Sequence, residues 1–144
     1  MKNKKIIISI ILCVIITFSF SYGDAVAAVF GYSEPTDAWN WSTDGTTYNI
    51  SGNSSYQTLY TEYYFTNANA YSVNITSATN SGSQMSVKLW KRTTGGKTLI
   101  DEFIVPIGGT VSKSYWSSTI SYSGIYFLEF SPSAFFSGYI SKIY

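Results

Sequence analysis

Histidine is absent from the 144 residues, and the single cysteine is Cys13. Without His, and with no Cys beyond residue 13, a Ser-His-Asp triad, a Cys-His pair and a zinc site of imidazole or thiolate ligands are excluded. Charge is scarce too, at 12% of residues. The nine Lys and Arg residues form no basic stripe along the body of the chain. Nucleic acid, which needs clustered cations to displace its counterions, is therefore not an expected partner. The acids are scattered and contain no Asp-x-Asp run. Asp37 and Asp44-Gly45 come nearest to a calcium-loop pattern, and Asp44-Gly45 reads better as a hairpin turn. Asp101 and Glu102 are neighbours on an expected strand, so they point to opposite faces. Glu62 and Glu129 could meet across strands, but nothing in the sequence pairs them. This inventory argues for no enzyme, no metal and no cofactor.

A hydrophobic run long enough to span a bilayer is also lacking. Ile6 to Phe20 is almost unbroken apolar sequence, yet a span needs roughly 20 residues. Lys2, Lys4 and Lys5 precede that run, and Ala25-Val26-Ala27-Ala28 follows it. The pattern is that of a secretory signal over residues 1–28, cut after Ala27 or Ala28. Cys13 follows Ile11 and Leu12 rather than small residues, which argues against lipidation. The short, Lys- and Ile-rich signal has the character of a Gram-positive bacterium. The four Asn-x-Ser/Thr sites at Asn40, Asn49, Asn53 and Asn74 then read as composition, not as glycan acceptors.

Residues 29–144 form the expected mature chain: one domain without cysteine, secreted or extracellular and associated with the cell surface. No disulfide holds it despite an oxidising destination. Removing Lys2, Lys4, Lys5 and Asp24 leaves six basic and seven acidic residues, a net charge near −1. About 116 residues suffice for a self-supporting core.

The mature composition turns to Ser, Thr, Asn, Gly and Tyr, and apolar residues recur with period two. Tyr71, Val73 and Ile75 alternate with Ser72, Asn74 and Thr76. Met85, Val87 and Leu89 alternate with Ser86, Lys88 and Trp90. Tyr126, Leu128 and Phe130 form a third inward set, and Leu59, Thr61, Tyr63 and Phe65 a weaker fourth. Turn residues separate the runs: Asp44-Gly45, Ser51-Gly52-Asn53, Asn80-Ser81-Gly82, Gly95-Gly96, Gly108-Gly109 and Ser123-Gly124. The spacing predicts an all-β, small antiparallel sandwich, jelly-roll-like, of eight or nine short strands. They lie near 37–42, 46–51, 57–66, 70–78, 84–92, 98–105, 110–116, 124–131 and 135–143.

Several of these runs carry a family resemblance. They are Tyr64-Phe65-Thr66, Tyr71 to Thr76, Val87-Lys88-Leu89-Trp90-Lys91, the Gly95-Gly96 turn and Ser123-Gly124-Ile125-Tyr126-Phe127-Leu128-Glu129. The stretch from about Tyr63 to Ser131, roughly half the chain, resembles a bacterial pre-peptidase C-terminal domain. The resemblance implies a small jelly-roll-like sandwich. Ser83, Gln84 and Ser86 stand where that family carries acids, so a calcium site on those acids does not carry over.

Aromatics are the informative surplus, at 18% of residues. Trp39 and Trp41 share one face if Trp39-Asn40-Trp41 is a strand. Trp90 shares an outward face with Lys88 and Arg92 if Val87 and Leu89 point inward. An aromatic ring beside polar groups can cover the apolar face of a sugar. The ligand-binding candidates are therefore Trp90, Lys88, Arg92, Trp39 and Trp41. The functional expectation is a secreted non-catalytic module for polysaccharide or cell-envelope glycan. Two alternatives stand beside it: a self-assembling or matrix interaction protein, and a small antimicrobial or toxin-like protein. Self-association through sheet edges suits the low edge charge.

Overall fold

The computed structural model describes residues 31–78, 84–132 and 135–143. The expected signal segment and the Asn80-Ser81-Gly82 turn lie outside the described residues.

Among the described residues ten strands run in chain order: β1 (Asp37–Asn40), β2 (Thr47–Asn53), β3 (Leu59–Tyr60), β4 (Tyr63–Thr66), β5 (Tyr71–Ser77), β6 (Met85–Thr93), β7 (Gly96–Val105), β8 (Thr110–Tyr115), β9 (Tyr126–Phe130) and β10 (Phe135–Lys142). They form two sheets, one ordered β1-β4-β9-β6-β7 with β3 also on β9, the other β2-β10-β5-β8. Every pairing is antiparallel except β1 with β4. The all-β sandwich read from the period-two pattern is the observed fold. Tyr71, Val73, Ile75, Met85, Val87, Leu89, Tyr126, Leu128 and Phe130 are all buried.

The inward faces meet through rings. Phe130 stacks on Phe136 across the sandwich at 4.4 Å between centroids. Tyr71 meets Tyr126 at 6.1 Å. Such pairs add roughly 0.5–1.5 kcal/mol beyond their buried area. Gly138 lies inward on β10, where a Cβ would run into the backbone of Asn74 on β5.

Three expectations change. The run 57–66 is broken into β3 and β4. Leu59 pairs Phe130 and Tyr60 pairs Glu129, whereas Phe65 pairs Tyr126, so two extra residues lie between. Thr61, fully buried, stabilises the break. Its N–H donates to the Leu128 carbonyl at 3.0 Å, and its hydroxyl accepts from the Leu128 N–H at 3.2 Å and donates to the Tyr63 carbonyl at 3.1 Å. An insertion of two preserves parity, so Leu59 and Phe65 still face inward. Ser51-Gly52-Asn53 is no turn but the end of β2, paired with β10. Asp44-Gly45 is a turn but not a hairpin, because it links β1 in one sheet to β2 in the other. The Asp44 carboxylate accepts the Asn40 N–H at 2.7 Å, and Gly45 takes φ 132°.

One irregularity positions side chains. In β6–β7, Leu89 pairs Asp101 but Trp90 pairs Leu99, so Ile100 is an extra residue. Cross-strand partners share a face. The bulge therefore reverses the parity of β7 and carries Lys97, the partner of Arg92, to the outer face.

Candidate functional site

The sandwich has two outer faces, and they differ in chemistry. On the six-stranded sheet, Lys88, Trp90 and Arg92 do share the outward side of β6, opposite Val87 and Leu89. The company they keep differs from the expectation. Trp90 is half-buried, paired in register with Phe127 of β9. Phe127 lies 5.7 Å from Tyr64 and 6.1 Å from Tyr60. Cations cover these rings. The Lys97 ammonium sits 4.4 Å from the Trp90 ring, 5.3 Å from Tyr60 and 5.6 Å from Phe127. Arg92 lies 4.9 Å above Tyr64. Cation–π contacts of this kind contribute about 0.5–2 kcal/mol each, depending on desolvation. Lys97 also pairs with Glu34 at 2.9 Å and Glu129 at 3.2 Å, and Lys88 pairs with Glu129 at 3.5 Å. Burial alone would lower the Lys97 ammonium, but its bonds to the two carboxylates outweigh that and hold it above its ordinary value. Trp90 is thus a covered residue and not an open stacking platform.

The Trp39/Trp41 pair needs correction as a ligand contact. The two indoles do share a face, and it is the inner one. Trp39 pairs in register with the inward Phe65 and packs at 5.1 Å from Tyr48. Trp41, 2% exposed, stacks on Phe65 at 5.5 Å. Burying Trp41 and packing the half-buried Trp39 against the core stabilises a chain without disulfides better than exposing both indoles.

The outer face of the four-stranded sheet is a different surface. Its outward positions are Thr47, Asn49, Ser51 and Asn53 of β2; Phe135, Ser137, Tyr139 and Ser141 of β10; Ser72, Asn74 and Thr76 of β5; and Thr110, Ser112 and Ser114 of β8. None carries a charge. Hydroxyls and amides pair across the strands: Ser72 with Ser141 at 2.9 Å, Thr76 with Thr110 at 2.7 Å, and the Asn74 amide donating to Ser112 at 2.6 Å. Each hydroxyl pair spends one O–H internally, leaving one O–H and several lone pairs for a ligand. Tyr139, 42% exposed, stands on the inner strand β10 between Asn49 and Asn74. This is a ring flanked by amides on an uncharged, donor-and-acceptor surface. Tyr139 is the residue the sequence reading missed. The alternation of Phe136, Gly138 and Ile140 with Ser137, Tyr139 and Ser141 carried the signal.

No family model matches the chain, and no curated protein matches it. Solved structures are similar to it, among them these three. One is a crystal structure of PirA, at 12% identity over 68% of this chain and 94% of that one, with a TM-score of 0.47. Another is the C-terminal family 6 carbohydrate-binding module of LamC, a marine laminarinase from Zobellia galactanivorans, at 17% identity over 81% of this chain and 94% of that one, with a TM-score of 0.41. The third is a family 6 carbohydrate-binding module whose binding sub-sites were dissected by crystallography and calorimetry, at 11% identity over 78% of this chain and 99% of that one, with a TM-score of 0.36. At these scores none of them fixes what this chain binds, and its own side chains carry the argument.

Among the described residues no group of three or more carboxylates is placed to hold a metal ion. Glu34, Asp37 and Glu62 do line a shallow depression of about 300 Å³ between residues 31–37 and the β3–β4 break. Asp101 and Glu102 diverge as strand neighbours must. Asp101 accepts from the Tyr115 hydroxyl at 3.0 Å and pairs with Lys113 at 3.4 Å, while Glu102 accepts from Ser86. Among the described residues no helix is long and apolar enough to cross a membrane.

Proposed function

We propose that this chain is a small secreted, non-catalytic module that binds polysaccharide or cell-envelope glycan through the outer face of its four-stranded sheet. The observation that carries the reading is Tyr139, an exposed ring between two asparagines on a surface of paired hydroxyls without charge. A sugar offers an apolar ring face and hydroxyls that both donate and accept. Tyr139 takes the former by dispersion and its ring quadrupole. Asn49, Asn74 and the unspent O–H groups take the latter. A phosphate-bearing or strongly charged partner finds no counter-charge on this face. Secretion rests on the signal pattern of residues 1–28, and the non-catalytic reading on the lack of His and of any Cys beyond residue 13.

The test is a binding screen of residues 29–144 against soluble and insoluble polysaccharides and purified cell wall, followed by calorimetry on any hit. Tyr139→Ala is expected to weaken binding about tenfold, the equivalent of ~1.4 kcal/mol, with its melting midpoint unchanged. Trp90→Phe, on the opposite sheet, leaves affinity alone. A folded, monodisperse protein that binds no glycan in the screen would sink the reading.

A further inference from the structure

Tyr139 is not the only ring on the outer face of the four-stranded sheet. Phe135 stands on the same outward side of β10 and is 48% exposed. The register gives the two rings matching neighbours on β2: Phe135 pairs Asn53 as Tyr139 pairs Asn49. Four residues of extended strand set the rings about 13 Å apart. Ser137 lies midway between them, flanked by Ser51 of β2 and Thr76 of β5. A strip of hydroxyls therefore joins two aromatic platforms along one strand. No disaccharide reaches both rings. A longer chain lying along β10 does, with its middle over the hydroxyls.

The two ends of this track differ in chemistry. Tyr139 carries a phenol and has the Asn74 amide on its β5 side. Phe135 is a bare ring, and the residue beside it there is Ala78, whose N–H donates to the Phe135 carbonyl at 2.7 Å. A depression of about 250 Å³ opens at this end, walled by Phe135, Phe136, Ala78, Thr76 and Ser137. Apart from two hydroxyls its walls are apolar. A sugar hydroxyl entering it exchanges water for carbon, which costs free energy, whereas a methyl group gains by the same move. An acetamido substituent ends in a methyl group, and its carbonyl can accept from the Ser137 or Thr76 hydroxyl. On the other side of Phe135, the Asn53 side-chain carbonyl accepts from the Ser55 N–H at 3.0 Å and the Ser55 hydroxyl at 2.6 Å. That leaves the Asn53 amide N–H groups to donate to a sugar oxygen.

We infer that the face is an extended site for an N-acetylated glycan chain running along β10, with Tyr139 and Phe135 under non-adjacent sugars and an acetamido group in the depression beside Phe135. This rests on the glycan reading of the face and adds to it a direction, a minimum length and a substituent.

Calorimetry with chito-oligosaccharides and cello-oligosaccharides tests it, because the two series share a backbone and differ in the acetamido group. Between the disaccharide and the hexasaccharide, the wild-type chain is expected to gain about tenfold in affinity once both rings are covered. It is also expected to prefer the acetylated series. Phe135→Ala is expected to abolish the gain with length and to leave the disaccharide, held at Tyr139, unaffected. Ala78→Leu fills the depression and is expected to keep the gain with length but lose the preference between series. Both positions are exposed, so melting midpoints are expected to stay at the wild-type value. A gain with length that survives Phe135→Ala, or equal affinity of the wild-type chain for the two series, overturns this inference. So does a protein that binds other glycans and neither of these, although the glycan face then still stands. A folded protein that binds no glycan of any kind overturns both.

Discussion

Tyr48, Tyr71 and Tyr115 hold three phenols whose ionisation the fold opposes. Burial is the largest cause for each, strengthened at Tyr115 by the Asp101 carboxylate that accepts its hydrogen bond and at Tyr71 by Tyr126 and Tyr115 nearby. All three are raised above the ordinary phenol value of 10.0. A group raised in the folded state keeps its full contribution below the unfolded value and loses it as pH climbs past that value. Stability is therefore expected to be flat through neutrality with respect to these phenols and to fall above about pH 10. Denaturant midpoints measured against pH check this, with the buried phenols' share of the phenolate absorbance appearing only on unfolding. Tyr115→Phe removes one of the three groups and is expected to soften the alkaline slope. At this scale the sequence was an uneven guide. It placed Lys88, Trp90 and Arg92 on the outward side correctly, because Val87 and Leu89 fix the parity of β6. It could not say that Lys97 would cover Trp90, since that contact depends on the one-residue bulge at Ile100. Trp39 and Trp41 were paired on a face correctly, but alternation alone does not say which face is inner when both sides carry large side chains.

The strands themselves were legible because polar and apolar residues alternate with little interruption in β5 and through most of β6, while β9 is marked by its inward set Tyr126, Leu128 and Phe130. Glycine-bearing turns mark most of the gaps, and Gly45, Gly96 and Gly108 do adopt positive φ. The β3–β4 break was not legible. The run from Leu59 to Phe65 keeps its parity across the two-residue insertion, so the pattern reads as continuous. Thr61 carries that break. Replacing it with valine keeps the shape and removes the hydroxyl, leaving the Leu128 N–H without that acceptor. Thr61→Val is expected to cost about 1–3 kcal/mol. Urea unfolding reads this as a lower midpoint at unchanged slope, and Thr61→Ser recovers most of the loss. Which element pairs with which was also beyond the sequence. Partners such as β2 and β10 lie far apart in the chain, and the outward faces of β2, β5 and β8 are nearly interchangeable runs of Ser, Thr and Asn.

On the scale of the whole molecule, the sandwich turns two unlike faces to solvent, one uncharged and hydroxylated, one aromatic and covered by cations. Sheet twist shapes what the first can touch. Adjacent strands rotate by roughly 20–25°, so four strands turn through about 60–75° from edge to edge. A single flexible glycan can follow such a saddle, whereas a flat crystalline plane meets only part of it. If the glycan reading holds, soluble oligosaccharides are expected to gain affinity with length until they span the sheet and then plateau. Crystalline fibres of the same sugar are expected to retain less protein per accessible chain. Calorimetry across an oligosaccharide series, beside fibre depletion assays, measures both.

Strand β10 lies between β2 and β5, and among the described residues β2 has no other neighbour in its sheet. A chain emerging from its N-terminal end therefore has nothing for Thr47–Asn53 to pair with until Phe135–Lys142 has also emerged. Closure over so long a sequence separation is slow. The four-stranded sheet is therefore expected to be completed only after its last strand has arrived, and until then β2 stays unpaired.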